Sequence, residues 1–325
     1  MRLPRRQFLH LAAGAALLPA VSRTARAQSY PSRPIRLLVG YPPGGSADMT
    51  ARLMGQWLSE RLGQSFVIEN RAGAGTNIAT EAVVRAAPDG YTLLLVAPAN
   101  AINATLYEKL NFNFLRDVEP IAGIIRFPNA VVVNPSVPVK SIPELIAYAK
   151  ANPGKLNMAS SGNGSTIHMS GELFKMLTGI NMVHVPYRGG ALALTDLIAG
   201  QVQVMFDNVP TCAEHIKLGK LRGLAVTSTT RSDVLPDLPT VADFLPGYEA
   251  SAWYGLAAPK GTSPEIVATL NKAVNAILVD PAAKARFTEI GAILLPGSAA
   301  DFGKLVADET EKWGKVVKFA GARVE

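Results

Sequence analysis

Short apolar runs alternate with amphipathic segments along most of the chain, and this alternation limits the fold more than any other feature of the sequence. The runs are rich in Val, Ile and Leu, a composition typical of strands buried on both faces. They are Ile35–Gly40, Phe66–Asn70, Tyr91–Val96, Val131–Asn134, Val202–Asp207 and Leu221–Thr227. Helical patterns occur at 47–62, 141–151, 168–178, 263–278 and 299–319. This order predicts an α/β fold with parallel sheets flanked by helices.

The first 27 residues have the layout of a secretory signal. They contain five basic residues and no acidic one, and the apolar stretch Leu11–Val21 is followed by Ala25-Arg26-Ala27. The apolar stretch is 11 residues long, whereas a membrane-spanning helix needs about 20. We therefore expect a removable signal peptide and export to the periplasm. The pair Arg5-Arg6 is typical of a twin-arginine signal, and an ordinary secretory signal explains the segment equally well.

Removal of the signal changes the charge of the chain. Of 32 Lys and Arg residues 27 remain, against 25 Asp and Glu, so the mature chain carries a formal charge of only +2. No basic cluster with interleaved aromatic residues remains, which argues against nucleic-acid binding. Cys212 is the single cysteine, so no intramolecular disulfide is expected. The three remaining histidines lack metal-ligand spacing, and neither a metal site nor a cofactor is predicted.

The mature length favours two domains. Removal of 27 residues from 325 leaves 298, which exceeds the usual size of one hydrophobic core. No linker is visible, so we expect one domain to be inserted into the other, with crossings near 126–130 and 247–253. Domain 1 would comprise 28–127 and 252–325, and domain 2 would comprise 128–251. A single large α/β domain is the alternative.

Motifs of enzymes are absent from the sequence. The residues after the first run do not form a dinucleotide fingerprint, no phosphate-binding P-loop occurs, and Ser165 lacks the flanking glycines of a nucleophile elbow. The chain is therefore not expected to be an enzyme. An exported α/β hydrolase that uses Ser161 or Ser165, with His168 or His184 as base, is the alternative.

Gly- and Ser-rich turns that lie between strand ends and helix starts are the candidate binding elements. The first is 42–48 and the second is 160–166, and 72–77 and 187–190 are similar. Such turns expose unpaired N–H groups at the positive end of the next helix, which attracts anions. Any one of them also fits a plain helix cap. If the first two belong to different domains, they can grip one carboxylate across a cleft that closes by a hinge.

Individual side chains have two interpretations each. We expect Asp48 to organise its loop and Ser165 and Thr166 to contact the ligand. His168 fits a packed helix residue or a pocket donor. Arg188 fits a partner for a distal carboxylate or a solvated loop residue. Asp207 fits a site for an ammonium or hydroxyl group, or a helix cap, and Trp253 and Tyr254 fit packing.

The run RPIRLLVGYPPGGSAD from Arg33 to Asp48 resembles the opening of the Bug-type receptors of tripartite tricarboxylate transporters. Further similar segments are Glu69–Gly75, Pro88–Leu93, Val185–Gly190, Arg231, Leu238–Thr240 and Trp253–Leu256, in matching order over the whole mature chain. Tyr41 stands where many relatives would have Phe. The resemblance implies a two-domain periplasmic binding protein of the Venus flytrap type, with a mostly parallel sheet in each domain.

The same resemblance implies a function and a site. The protein would bind a small carboxylate and deliver it, as a monomer, to integral membrane subunits of such a transporter. A sensor that presents its ligand to a signalling receptor is the alternative partner. The residues expected at the ligand are Tyr41, Pro43, Gly44, Gly45, Ser46, Asp48, Ala97, Ser160, Ser161, Gly164, Ser165, Thr166, His168, Tyr187, Arg188, Gly189 and Asp207.

We predict that the exported protein is cleaved after Ala27, so that Gln28 becomes the first residue. The reason is the small-x-small motif beyond an apolar core too short to span a bilayer. An intact-mass measurement on protein from the periplasmic fraction tests this. A retained signal, or protein found only in the cytoplasm, would contradict it.

Overall fold

A computed structural model describes residues 30–322, so the predicted signal peptide lies outside the described residues. The strands are β1 Ile35–Val39, β2 Phe66–Asn70, β3 Thr92–Val96, β4 Val118–Val133, β5 Asn157–Ser160, β6 Val183–Pro186, β7 Val204–Asn208, β8 Arg222–Val226, β9 Ser251–Pro259 and β10 Ile293–Leu294. The helices are α1 Ser46–Leu62, α2 Asn77–Val84, α3 Pro98–Leu106, α4 Phe114–Asp117, α5 Ile142–Ala151, α6 Thr166–Thr178, α7 Gly190–Ile198, α8 Val209–Lys217, α9 Pro264–Leu278, α10 Pro281–Glu289 and α11 Ala299–Ala320. Within 30–322 no helix is both long and apolar enough to cross a membrane.

The strands form two sheets that are joined through β4. In the first sheet the order is β2-β1-β3-β9-β4, with β10 also paired to β4. In the second sheet the order is β6-β5-β7-β4, and β8 pairs with β4 as well. The α/β class that the sequence predicts is confirmed. Helices that follow the parallel strands place several helix starts along the carboxyl edges of those strands, where ligands of open α/β sheets bind.

Each sheet is mixed rather than mostly parallel. Strands β1, β2 and β3 are parallel in the first sheet, and β5, β6 and β7 are parallel in the second. Strand β9 is antiparallel to β3 and β4, and β4 is antiparallel to β7 and β8. The reason lies in the connection. The chain leaves the first sheet along β4 and returns along the adjacent β9, and two neighbouring strands that run out and back must be antiparallel.

Strand β4 is 16 residues long and buried over nearly all of its length. Its first part pairs with β9 from Val118 to Pro128, and its last five residues pair with β7. The register against β9 shifts between Pro120 and Ala122 and again between Gly123 and Ile125. The sequence predicted only the last part of this strand, because Pro120, Gly123 and Pro128 are residues that normally mark turns or bulges.

The hydrophobic core follows the two sheets, but two helices pack across the expected division. Ile102 and Leu106 of α3 and Trp313 and Val317 of α11 lie in the same buried cluster as Phe206 of the second sheet. The sequence assigned both helices to the first domain. The predicted boundaries at 127/128 and 251/252 fall inside β4 and at the first residue of β9. That division into domains stays a prediction.

A buried carboxylate on α11 holds the region where β4 and β9 lie side by side. Glu309 Oε2 accepts hydrogen bonds from Trp253 Nε1 at 3.1 Å and from Trp313 Nε1 at 2.8 Å. Its other oxygen, Oε1, lies 3.7 Å from Lys312 Nζ and 4.0 Å from Arg126 on β4. Both indole rings are fully buried. One carboxylate therefore satisfies two buried donors, one from a strand and one from its own helix.

We predict that Glu309→Leu destabilises the fold while Glu309→Gln costs much less. Leucine removes the acceptor of both indole N–H groups, and each unsatisfied buried donor costs about 1–3 kcal/mol. Glutamine keeps one oxygen of similar placement. Urea unfolding of the purified protein measures the difference. Glu311→Gln, at an exposed site on the same helix, is the control. Equal stability of the Leu and Gln variants would contradict this role.

Candidate functional site

Two adjoining cavities lie between the carboxyl edges of the sheets. The first is narrow, with a volume of about 30 Å³, and the second is larger, with a volume of about 440 Å³. Tyr41, Pro42 and Ser161 line both, so the cavities share a wall. Residues from both sheets and their following helices line the first cavity: Tyr41, Pro42, Gly45, Ser46, Ala47, Ala97, Pro98, Ser161, Thr166, Ile167, Gly190, Asp207, Asn208, Thr211 and Tyr254.

The loop 42–48 is held from behind by the carboxylate of Asp48. Its Oδ2 accepts from the Gly44 main-chain N–H at 3.1 Å and from Arg52 Nε at 2.9 Å, and its Oδ1 accepts from Asn70 Nδ2 at 3.0 Å. Burial opposes ionisation, but these hydrogen bonds prevail and lower the pKa of Asp48. Gly44 adopts a φ of +91°, which favours glycine. Asp48 therefore fixes the loop from a position that lines neither cavity.

The loop 160–166 is held by its own hydroxyl and imidazole groups. Ser165 caps α6, since its Oγ accepts from the His168 main-chain N–H at 3.2 Å and donates to the Gly162 carbonyl at 2.8 Å. His168 Nδ1 accepts from the Gly164 N–H at 3.2 Å. The next residue, Thr166, faces the first cavity. Because Ser165 provides the cap, Thr166 is the hydroxyl left for a ligand.

Behind this loop two imidazole rings are stacked. The rings of His168 and His184 lie 3.8 Å apart at 13°, and His184 Nε2 lies 2.7 Å from the Ser160 hydroxyl. Burial lowers the pKa of His184 to about 3, and the neighbouring His168 adds to the effect. His184 is therefore neutral across the physiological range, and it contacts the Ser160 hydroxyl without bringing a charge to it.

Three helices begin at the first cavity without a side-chain cap. They are α1 after Gly45, α7 after Gly189 and α8 after Asn208. The first-turn N–H groups of a helix have no partner within the helix, and together they carry partial positive charge. None of the described residues that line this cavity is basic. The described lining therefore offers main-chain donors, and no basic side chain, to a ligand.

The loops of the two sheets approach each other closely across the cavities. A Cβ added at Gly189 would lie 2.7 Å from Cγ of Pro42, and one added at Gly75 would lie 3.3 Å from the Asn163 carbonyl. Gly189 has a φ of +146°. A side chain at Gly189 would push the loop 187–190 away from the loop 42–48, so glycine permits the close approach of these two loops.

The predicted site residues divide into three groups by position. Tyr41, Gly45, Ser46, Ala97, Ser161, Thr166 and Asp207 line the first cavity. Tyr41 and Ser161 also line the second, together with Ser165, Tyr187 and Arg188. Pro43, Gly44, Asp48, Ser160, Gly164, His168 and Gly189 line neither cavity. The last group supports the loops through hydrogen bonds, tight turns and close contacts.

Sequence reasoning missed several lining residues, of which Tyr254 is the most informative. Its hydroxyl lies 2.8 Å from the Ser46 hydroxyl in the first cavity. The sequence analysis assigned both Trp253 and Tyr254 to packing. Trp253 is fully buried against Phe302 and has only a packing role, whereas Tyr254 also lines the cavity. The other missed residues of the first cavity, which lie outside the predicted loops, are Pro98, Ile167, Asn208 and Thr211. The sequence signal that separates Trp253 from Tyr254 is their adjacency on β9, since adjacent residues of a strand point to opposite sides.

The hydrolase alternative does not fit the positions of its residues. Ser165 bonds to the main chain of its own turn, and the ring nitrogen Nδ1 of His168 accepts from an N–H group. The hydroxyl paired with His184 belongs to Ser160, which is fully buried. Among residues 30–322, neither Ser161 nor Ser165 forms a hydrogen bond with the ring of a histidine. No group of three His, Cys, Asp or Glu in that range could hold a metal ion.

Comparison with known proteins gives the same family from sequence and from structure. Residues 50–322 match the TctC family, described as the tripartite tricarboxylate transporter family receptor. The chain is 37% identical to protein BugT of Bordetella pertussis over 308 residues, which cover 94% of each chain.

Two solved structures share the fold over nearly the whole length. Rpa4515 of R. palustris with adipate superposes with a TM-score of 0.87 at 41% identity, covering 90% of this chain and 98% of that one. MatC of Rhodopseudomonas palustris with bound malate superposes with a TM-score of 0.84 at 33% identity, covering 89% and 100%. The family is one of receptors and not of enzymes. The chain described here belongs to the TctC family of tripartite tricarboxylate transporter receptors.

Proposed function

We propose that this receptor captures a small organic carboxylate in the first cavity and delivers it, in the periplasm, to the integral membrane subunits of a tripartite tricarboxylate-type transporter. The observation that carries the proposal is the group of uncapped helix starts around a cavity whose described lining has no basic side chain. Unpaired N–H groups of this kind need an acceptor, and a carboxylate supplies two oxygens with a negative charge.

The relatives support a carboxylic acid as ligand. Rpa4515 was solved with adipate and MatC with malate, and both compounds carry two carboxyl groups. In the present chain Arg188 lies at the wall of the second cavity and is exposed. We propose that one carboxylate of the ligand is bound at the helix starts of the first cavity. Arg188 would then pair with a second carboxylate, where one is present.

The proposed delivery step depends on closure between the lobes. Loops 42–48 and 187–190 belong to different sheets and touch at Pro42 and Gly189. A ligand between them favours the closed form because it contacts both sides, and a ligand shifts an equilibrium only by its differential affinity for the two forms. We propose that membrane subunits recognise the closed form, in which the loops of the first sheet lie against those of the second.

We predict that small carboxylic acids raise the melting temperature of the mature protein, while sugars and inorganic phosphate do not. At a ligand concentration of about 100 times Kd, binding adds about 2.7 kcal/mol to the free energy of unfolding. A thermal-shift screen with mono- and dicarboxylates, aromatic ones included, measures this. A sugar or polyamine as the strongest hit would contradict the proposal.

We predict that Gly45→Val and Thr166→Val each weaken every carboxylate ligand. A Cβ at Gly45 meets no atom within 4 Å, so the valine side chain occupies the cavity without disturbing the fold. Loss of the Thr166 hydroxyl removes one hydrogen bond to a charged group, worth about 1.5–3 kcal/mol. Calorimetric titration gives the affinities, with Thr269→Val on α9, remote from both cavities, as the matched control.

Arg188→Ala provides a contrast to these two variants. If Arg188 binds a second carboxylate, its loss weakens dicarboxylates much more than the matched monocarboxylates. Unchanged affinity in both Gly45→Val and Thr166→Val would place the carboxylate elsewhere.

A further inference from the structure

The first cavity contains a buried carboxyl group that has no basic partner. Asp207 lies at the end of β7 and is 1% exposed. Its Oδ2 accepts from the Thr211 hydroxyl at 2.8 Å. Within 30–322 no Lys, Arg or His forms an ion pair with it. A buried carboxylate is costly unless donors or a cation compensate it. Asp207 therefore lacks part of the compensation that its ionised form requires.

The groups that face Asp207 cannot supply a charge. Tyr254 approaches from β9 and Cys212 from α8, and the charge of Asp207 contributes to the raised pKa of both groups. Both are therefore neutral near pH 7. Burial raises the pKa of Asp207 itself to about 7, although hydrogen bonds from Thr211 and the Asn208 main chain oppose the rise. The carboxyl group thus changes its protonation state in the physiological range.

A second polar atom beside Asp207 also lacks a partner. Asn208 lines the same cavity, is 4% exposed, and its Oδ1 has no hydrogen-bond partner in the described part of the chain. Two neighbouring residues of the cavity lining, Asp207 and Asn208, thus carry acceptor oxygens that are short of donors. An unpartnered buried acceptor costs free energy, and a donor brought by the ligand removes that cost.

We propose that Asp207 and Asn208 select a carboxylic acid that also carries a hydrogen-bond donor, a hydroxyl or an ammonium group. This inference rests on the proposed function, because it assumes that a carboxylate occupies the helix starts of the same cavity. The helix starts bind the negative end of the ligand, and the acceptor pair binds its donor. An acid without such a donor would leave both acceptors without a partner.

The pH dependence of binding has a definite sign. A bound donor stabilises the ionised form of Asp207, so the pKa of this group falls on binding. Below the pKa of about 7 in the empty site, binding must release a proton. Affinity therefore rises with pH between about pH 6 and pH 8 and levels off above that range. A ligand that accepts a hydrogen bond from protonated Asp207 would show the opposite slope.

The experiment is calorimetric titration with matched triads of acids. Succinate, malate and aspartate form one triad. Glutarate, 2-hydroxyglutarate and glutamate form the second, and adipate with its 2-hydroxy and 2-amino derivatives forms the third. We expect the hydroxy or amino member to bind at least about tenfold more tightly than the unsubstituted acid, with affinity rising from about pH 6 to about pH 8. The hydroxy and amino members distinguish the two kinds of donor.

The variant Asp207→Asn keeps the size of the side chain and removes the titration. We expect it to lose the pH slope and the preference for an ammonium group, while Asp308→Asn, at an exposed site on α11, changes neither. The slope of the unaltered protein is informative even if Asp207→Asn fails to fold. Equal affinities within each triad, or tighter binding at lower pH, would overturn the inference.

The thermal-shift screen separates the two proposals. If no carboxylic acid stabilises the protein, the proposed function fails, and this inference fails with it. If acids stabilise it but the strongest has neither a hydroxyl nor an ammonium group, only the role of Asp207 and Asn208 is wrong.

Discussion

The antiparallel pairing of β4 with β9 is the constraint on which the rest of the structure depends. These two strands lie side by side from Val118–Pro259 to Pro128–Ser251, and β4 then continues into the second sheet. Because the chain crosses there and back, the carboxyl edges of the parallel strands of both sheets come to face one cavity. Glu309 secures the same region by accepting hydrogen bonds from two buried indoles. The position of the proposed binding site is thus a consequence of how the sheets are joined.

The proposed site would bind an anion without a basic side chain, and this avoids burying an unpaired charge in the empty cavity. An arginine in a closed cavity would itself need a partner when the ligand is absent, since a buried unpaired charge is strongly unfavourable. Helix starts carry only partial charge and keep most of their hydrogen bonds in either state. The acidic Asp207 is tolerable in the empty cavity for a related reason, because its raised pKa lets it exist in neutral form.

Much of the fold could be predicted from the sequence, and the limits have physical causes. The runs at 35–40 and 91–96 became β1 and β3 within a residue, since buried parallel strands are continuous and apolar. The run at 66–70 is strand β2, but it was wrongly expected to be buried: it lies at the edge of the sheet and only Phe66 is buried. Strand β9 and the first part of β4 escaped notice because Gly, Pro and Ser interrupt them. The loops 42–48 and 160–166 were recognised from composition. Which hydroxyl caps a helix and which faces the cavity depends on packing, and only the structure distinguishes Ser165 from Thr166 in this respect.

Binding of an anion through main-chain groups, as proposed, determines which amino-acid substitutions weaken the site. Replacing a residue at the start of α1 or α7 with alanine leaves its N–H group in place, so an alanine scan would pass over much of the binding surface without loss of function. Added bulk, as at Gly45 or Gly189, reveals it instead. The proposed anion site thus depends on the backbone and tolerates side-chain changes, whereas the proposed roles of Asp207, Asn208 and Arg188 each depend on one side chain. In a protein with this fold, the specificity for the rest of the ligand can therefore change through a few side chains while the proposed anion site is kept.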